Sequence, residues 1–197
     1  MKQDQVKSDR RMGPPGSENW HAMLDGAEDI LREEGHAALT SRRIAERIGV
    51  KQRLVYYYFR TMDDLIVEMF HRRSEMELTR LRETLKAEHP LHEIWEICIH
   101  STDARLISEF MALASRIDGL RAEVIRFIEE SRAIQVEAIT AALERTSRTS
   151  LIPPAGLAIV ATSVALAISR EEQLGVTSGH GDIMTVIEDF IASLDPG

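Results

Sequence analysis

Six basic side chains fall between residues 40 and 60: Arg42, Arg43, Arg47, Lys51, Arg53 and Arg60. One acid, Glu46, opposes them, in a chain whose formal net charge is −8. A basic patch on an acidic protein is what phosphate contact requires, because neutralising phosphates supplies much of the affinity for DNA. The same stretch holds side chains able to read base edges. Gln pairs bidentately with adenine, and Arg with guanine O6 and N7. Gln52 and Arg53 are therefore expected at base edges. Thr40, Arg42, Lys51 and Tyr57 are expected at phosphates, which position a protein without specifying sequence. Arg43 and Arg47 rank lower, since Glu46 and neighbouring acids offer them partners.

These side chains need a scaffold, and the local pattern supplies one. Thr40 is a good N-cap. Ile44, Ala45 and Ile48 recur at helical spacing, with Ala45 small enough for a second helix to cross closely. Gly49 falls where that helix must stop and the backbone favours positive φ. Leu54, Val55 and the run Tyr56-Tyr57-Tyr58-Phe59 predict a second short helix. Asp63 and Asp64 open a third, where acids suit the positive end of the dipole. Two short helices joined by a tight turn form a helix-turn-helix, which presents its second helix to the major groove. Before it, Trp20, Met23, Leu24, Ala27, Ile30 and Leu31 form the apolar stripe of a helix over residues 17–34, ended by Gly35.

Gly35, Thr40, Ile44-Ala45, Gly49-Val50, Tyr56-Tyr57-Tyr58-Phe59 and Asp64-Leu65 together resemble the DNA-binding domain of the TetR family of bacterial transcriptional regulators. The resemblance covers residues 18–66. It implies a phosphate or base contact for Tyr56 and packing under the helix for Phe59; Tyr58 is expected to pack. Two positions depart from the family pattern. Lys51 stands where Ser or Thr usually caps the recognition helix, and Met62 where a Lys usually meets phosphate. The backbone N–H groups at Met62 and Asp63 still suit an anion.

The rest of the chain reads as helix with almost no strand signal. Leu65, Ile66, Met69, Phe70, Leu78, Leu81 and Leu85 mark a connecting helix to residue 87. Pro90 opens another, with Ile94, Trp95, Cys98 and Ile99 facing inward. Leu106, Ile107, Phe110, Met111 and Leu113 form a further helix or its continuation. Asp118-Gly119 is expected as a turn before a long helix, and Pro153-Pro154 open the next. Residues 155–174 are rich in small and apolar side chains, and residues 182–194 carry a broad apolar stripe. The resemblance implies that these last two helices pair across a two-fold axis, making a homodimer. It also implies a small-molecule pocket in the larger domain, for which Met69, Trp95, Cys98, Phe110, Met111 and Phe127 are the candidate lining. Methionine and aromatic side chains suit a plastic apolar cavity.

Residues 1–17 are polar and expected to be a disordered arm, from which Arg10 and Arg11 could reach a minor groove. A single cysteine, Cys98, excludes an internal disulfide and suits a reducing compartment. No apolar stretch follows the first basic residues, so a signal peptide is not expected. The longest apolar run, residues 157–168, is too short for a bilayer. A cytoplasmic location without membrane attachment is expected.

A rival chemistry lies at His92, Glu96 and His100, spaced i, i+4 and i+8 on one helix face with His89 a turn before. The outer histidines stand about 12 Å apart along the axis, so one ion cannot easily take both. A pair of these residues would need a ligand from another helix. Arg116 could face an anionic ligand. No nucleophile elbow, dinucleotide fingerprint or P-loop is present, so neither an enzyme nor a cofactor is expected.

The expectation is an all-α chain: arm 1–17, helix-turn-helix domain 18–64, effector-binding and dimerisation domain 65–197. It would be a regulator, repressing or activating, released from a two-fold double-stranded DNA operator by a small, mostly apolar effector. The rivals are a helical ligand- or metal-binding protein, an enzyme included, and an architectural DNA binder without effector.

Overall fold

The computed structural model describes residues 15–100 and 103–195. The arm, with Arg10 and Arg11, lies almost wholly outside the described residues. The described chain is helical throughout and divides into two units, residues 1–70 and 71–197.

The first unit holds α1 (Glu18–Glu34), a 3-10 turn (His36–Ala38), α2 (Ser41–Arg47), α3 (Gln52–Tyr58) and the start of α4 (Met62–Thr84). Each start has an identifiable cause. The Ser17 hydroxyl accepts from the Trp20 N–H at α1, and Thr40 Oγ1 accepts from the Arg43 N–H at α2. At α4, Thr61 and Asp64 cap one another reciprocally, at 3.0 and 3.1 Å, the pattern of a capping box. α3 lacks a side-chain cap, because Lys51 occupies that position. The turn between α2 and α3 uses Gly49 at φ +71. The core is Met23, Leu24, Ala27, Ile30 and Leu31 of α1 with Ile44, Ala45, Val55 and Phe59, all buried. Gly26 permits the close approach of α1 and α2, since a Cβ there would stand 2.8 Å from Ile48 Cγ2.

The second unit holds the rest of α4, then α5 (Pro90–His100), α6 (Ala104–Ala114), α7 (Asp118–Arg145), α8 (Pro154–Gln173) and α9 (His180–Leu194). α6 is a helix of its own, started by Asp103, whose carboxylate accepts from the Leu106 N–H. Asp118-Gly119 is not the expected turn. The turn falls at Ser115 and Arg116, and Asp118 begins α7, where its acid suits the helix N-terminus.

Leu78, Leu81, Leu91, Ile94, Ile134, Ala138, Ala142 and Leu194 form one buried cluster drawn from α4, α5, α7 and α9. Arg126 of α7 pairs with Glu75 of α4 at 2.7 Å and with Glu123 and Glu130 of its own helix at 3.0 Å. The second unit thereby fixes α7 along α4. α9 is held chiefly by its end. Leu194 is its single buried residue, and buried Asp195 accepts from the Leu91 N–H at 3.2 Å and from Arg145 at 2.6 Å.

α8 is longer than the apolar run 157–168 suggested. Its 20 residues are long and apolar enough to cross a membrane by length and composition, and 22% of that window is buried inside the protein.

Candidate nucleic-acid interface and effector cavity

The basic residues of the helix-turn-helix fall into two sets. Arg43 pairs with Glu34 at 2.7 Å, and Arg47 with Glu33 at 2.6 Å and Glu34 at 3.0 Å. Both arginines therefore tie α2 back to α1. The Arg47 hydrogen bond holds the Glu33 carboxyl below its ordinary range, and the Arg43 hydrogen bond does the same for Glu34. Arg42 pairs with Glu46 one turn along at 2.8 Å but is 79% exposed. An exposed pair of that kind is screened by solvent and contributes little, so phosphate can displace it. Lys51, Arg53 and Arg60 are exposed, and among the described residues no ion pair holds them. These three cations are available to an incoming polyanion.

Ser41 connects the two short helices. It is buried, accepts from Gln52 Nε2 at 2.8 Å and donates to Tyr56 Oη at 2.9 Å. Gln52, Tyr56 and Ser41 thus form one hydrogen-bonded chain across the α2–α3 crossing. Sequence reasoning placed Gln52 at a base edge and missed this engagement. For Gln52 to read adenine bidentately, its amide must leave Ser41, while Arg53 needs no such release. Tyr57 is 44% exposed and stands edge-on to Tyr58 at 5.4 Å. Tyr58 and Phe59 are buried, and Tyr58 Oη accepts from Ser17. The aromatic run therefore divides: Tyr56 and Tyr57 outward, Tyr58 and Phe59 inward. Thr40 is exposed, its hydroxyl engaged as the α2 cap.

Within the second unit a cavity of about 500 Å³ opens among α5, α7, α8, α9 and the 148–152 segment. That volume is ordinary for a small-molecule site. Trp95 and Cys98 line it. The other four candidates do not. Met69 and Phe110 are buried in packing elsewhere, Met111 is 43% exposed, and Phe127 packs on the apolar cluster. The lining comes instead from Leu91, Ile94, Ile139, Ala161, Ile187 and neighbours of the same character. Helical periodicity shows which residues face inward, not whether the inward space is filled. Gln135 was also missed; it is 7% exposed and meets Cys98 and Thr162. The signal was a lone amide amid the apolar residues of α7.

Burial, and then the charge of Glu77, push the Cys98 thiol up to about 11. It stays protonated near neutrality and is a poor nucleophile. Arg116 is exposed and does not line the cavity. His100 and Glu96 lie 3.2 Å apart, and His92 is exposed. Among the described residues no group of three or more His, Cys, Asp or Glu could hold a metal ion.

Residues 23–69 match the model of a family described as bacterial regulatory proteins, tetR family. The fatty acid metabolism regulator protein of Bacillus subtilis (strain 168) is 25% identical over 64 residues, 32% of this chain and 33% of that protein. The match spans only a third of the relative's length. Two solved structures align over nearly the whole chain. A candidate transcriptional regulator from Pseudomonas aeruginosa PAO1 is 16% identical, with 90% of each chain covered and a TM-score of 0.72. FadR of Bacillus subtilis in complex with stearoyl-CoA is 13% identical, with 90% of this chain and 98% of that one covered and a TM-score of 0.59. At these identities the two structures establish a shared fold.

Proposed function

We infer that this protein is a repressor released from a two-fold operator by a small, mostly apolar effector, a reading supported by the match of residues 23–69 to the tetR family of bacterial regulatory proteins. The observation that carries this reading is the exposed set Lys51, Arg53, Arg60 and Tyr57 around α3, in a protein of net charge −8. Arg53 reads a base edge; Lys51, Arg42, Thr40, Tyr56 and Tyr57 meet backbone phosphates. Gln52 joins the base contacts if DNA draws its amide from Ser41. Activation rather than repression would use the same contacts.

Two copies are needed to read two half-sites about 34–36 Å apart. α8 and α9 are the elements for that pairing. Ile159, Val160, Val186 and Phe190 are exposed in the single chain, the last three at the open side of the cavity, and α9 buries only Leu194. Such a run of apolar surface marks an interaction site, and pairing it supports a cytoplasmic homodimer over insertion of α8 in a membrane. The division into arm, residues 18–64 and residues 65–197 assigns DNA to the first folded part and effector to the second.

The effector acts by population shift. Operator selects one separation of the two DNA-reading heads, and ligand in the α5–α9 cavity favours another. The complex of FadR with stearoyl-CoA supports an apolar ligand in a domain of this fold. A footprint on DNA upstream of the protein's own gene, at near-physiological salt, tests the reading. A protected two-fold site is expected. Weak, salt-labile binding indifferent to sequence would overturn it.

A further inference from the structure

Gln52 and Tyr56 stand one turn apart on α3 and so share one of its faces. Between their polar ends lies Ser41, the first residue of α2, which is 4% exposed. The Ser41 hydroxyl has a single proton to give and lone pairs to accept with. It accepts from Gln52 Nε2 at 2.8 Å and donates to Tyr56 Oη at 2.9 Å. The amide sets the direction of this chain: an N–H aimed at Ser41 Oγ turns the hydroxyl proton toward the phenol. Tyr56 Oη then receives a proton from Ser41 and keeps its own. Tyr56 is 43% exposed, and among the described residues Ser41 is the one partner of its hydroxyl. The phenol proton is left for an acceptor outside the protein.

A phosphodiester oxygen is an acceptor with no proton to offer, so it can use Tyr56 in this direction alone. In the opposite direction, with the Gln52 oxygen on Ser41, the Ser41 proton would go to the amide and the phenol proton to Ser41. Tyr56 would then show the DNA lone pairs only. Two further effects favour the chain as it stands. Hydrogen bonds in series polarise one another, which strengthens the outermost donor. A ring held at its oxygen also has less freedom to lose when it meets its partner. Ser41 is buried and out of reach of DNA, so any effect it has on binding passes through Tyr56.

We propose that Ser41 is a positioning residue for DNA binding: held by Gln52, it aims the Tyr56 phenol proton outward and makes Tyr56 a donor to a backbone phosphate. The inference rests on the reading of α3 as the DNA-facing helix, and the experiment separates the two. Phosphate contacts do not depend on sequence, so the full chain is titrated at low salt on DNA from upstream of its own gene and on a random-sequence duplex of equal length. Tyr56→Phe should weaken both about 10-fold or more, as for a hydrogen bond to a charged group, and Ser41→Ala about 3- to 10-fold, as for a neutral one. In the Tyr56→Phe background Ser41→Ala should cost almost nothing further, because the two act as one unit. A merely structural role for Ser41 would keep its full cost in that background, and additive losses overturn the inference. So does a Tyr56→Phe variant that binds as the wild type does, which marks the reverse direction. Gln52→Leu, at an exposed position, tests the chain without touching the buried hydroxyl: it removes the donor that sets the direction and should lessen the cost of Tyr56→Phe on the random duplex. An undiminished cost there also overturns the inference. Each of these results leaves α3 facing DNA, whereas wild-type protein that binds neither duplex overturns both readings.

Discussion

The residues around α3 differ in kind, and the difference is measurable. Among the described residues no ion pair holds Arg53, whereas Arg43 and Arg47 are occupied by Glu33 and Glu34. Arg53→Ala should relax specificity at one operator position, at a cost of about 1–3 kcal/mol, read from affinities for single-base operator variants. Lys51→Ala should weaken every sequence alike and reduce the slope of log K against log salt by about 1. Acid should act on the α1–α2 clasp. The folded carboxyls of Glu33 and Glu34 titrate below their ordinary value of 4.5, so their contribution is present above that pH. It is lost as pH falls through the lowered folded values. Chemical denaturation of the wild type should show stability declining below about pH 4.5. Arg47→Gln should flatten that decline, and an unchanged slope would remove the clasp from the account.

The helices were legible where one residue type has one use. Ser17, Thr40, Gly35 and Gly49 mark their ends in the sequence and mark them in the structure. Asp118-Gly119 misled because the pair suits a turn and also the first turn of a helix, and packing of Leu120 and Val124 chose the helix. Two glycines make opposite demands. Gly49 has open space but φ +71, so Gly49→Ala should cost about 1 kcal/mol through the left-handed backbone. Gly26 is helical but faces Ile48 Cγ2, so Gly26→Ala sets a gain in helix propensity against a steric clash. The clash should win, because the β-branched side chain of Ile48, at the C-cap of α2, has little freedom to move. Thermal melts of both variants should show lowered midpoints, and a raised midpoint for Gly26→Ala would mean that α1 and α2 separate easily.

At the scale of the whole molecule, the proposed function requires reciprocal binding: operator DNA should weaken effector affinity by the factor by which effector weakens operator affinity. Both depend on the dimer proposed through α8 and α9. Ile159 is 45% exposed and does not line the cavity. Ile159→Glu should therefore shift sedimentation toward monomer and weaken operator binding at least tenfold, while ligand titration of the cavity changes little. A variant that stays dimeric would move the interface away from this face of α8.

The all-helical class, the helix-turn-helix, its basic side chains and the aromatic run were legible in the sequence, because caps, periodicity and charge are local properties of neighbouring residues. Which cations stay free was decided only in three dimensions, because Glu33 and Glu34 reach Arg47 and Arg43 through the crossing of α1 and α2. The engagement of Gln52 by Ser41 has the same origin. The cavity is the clearest case. Periodicity assigns an inward face to Trp95 and Phe110 alike, but Phe110 meets close-packed neighbours while Trp95 meets open space. That distinction depends on how α5, α7, α8 and α9 diverge, which no single helix encodes.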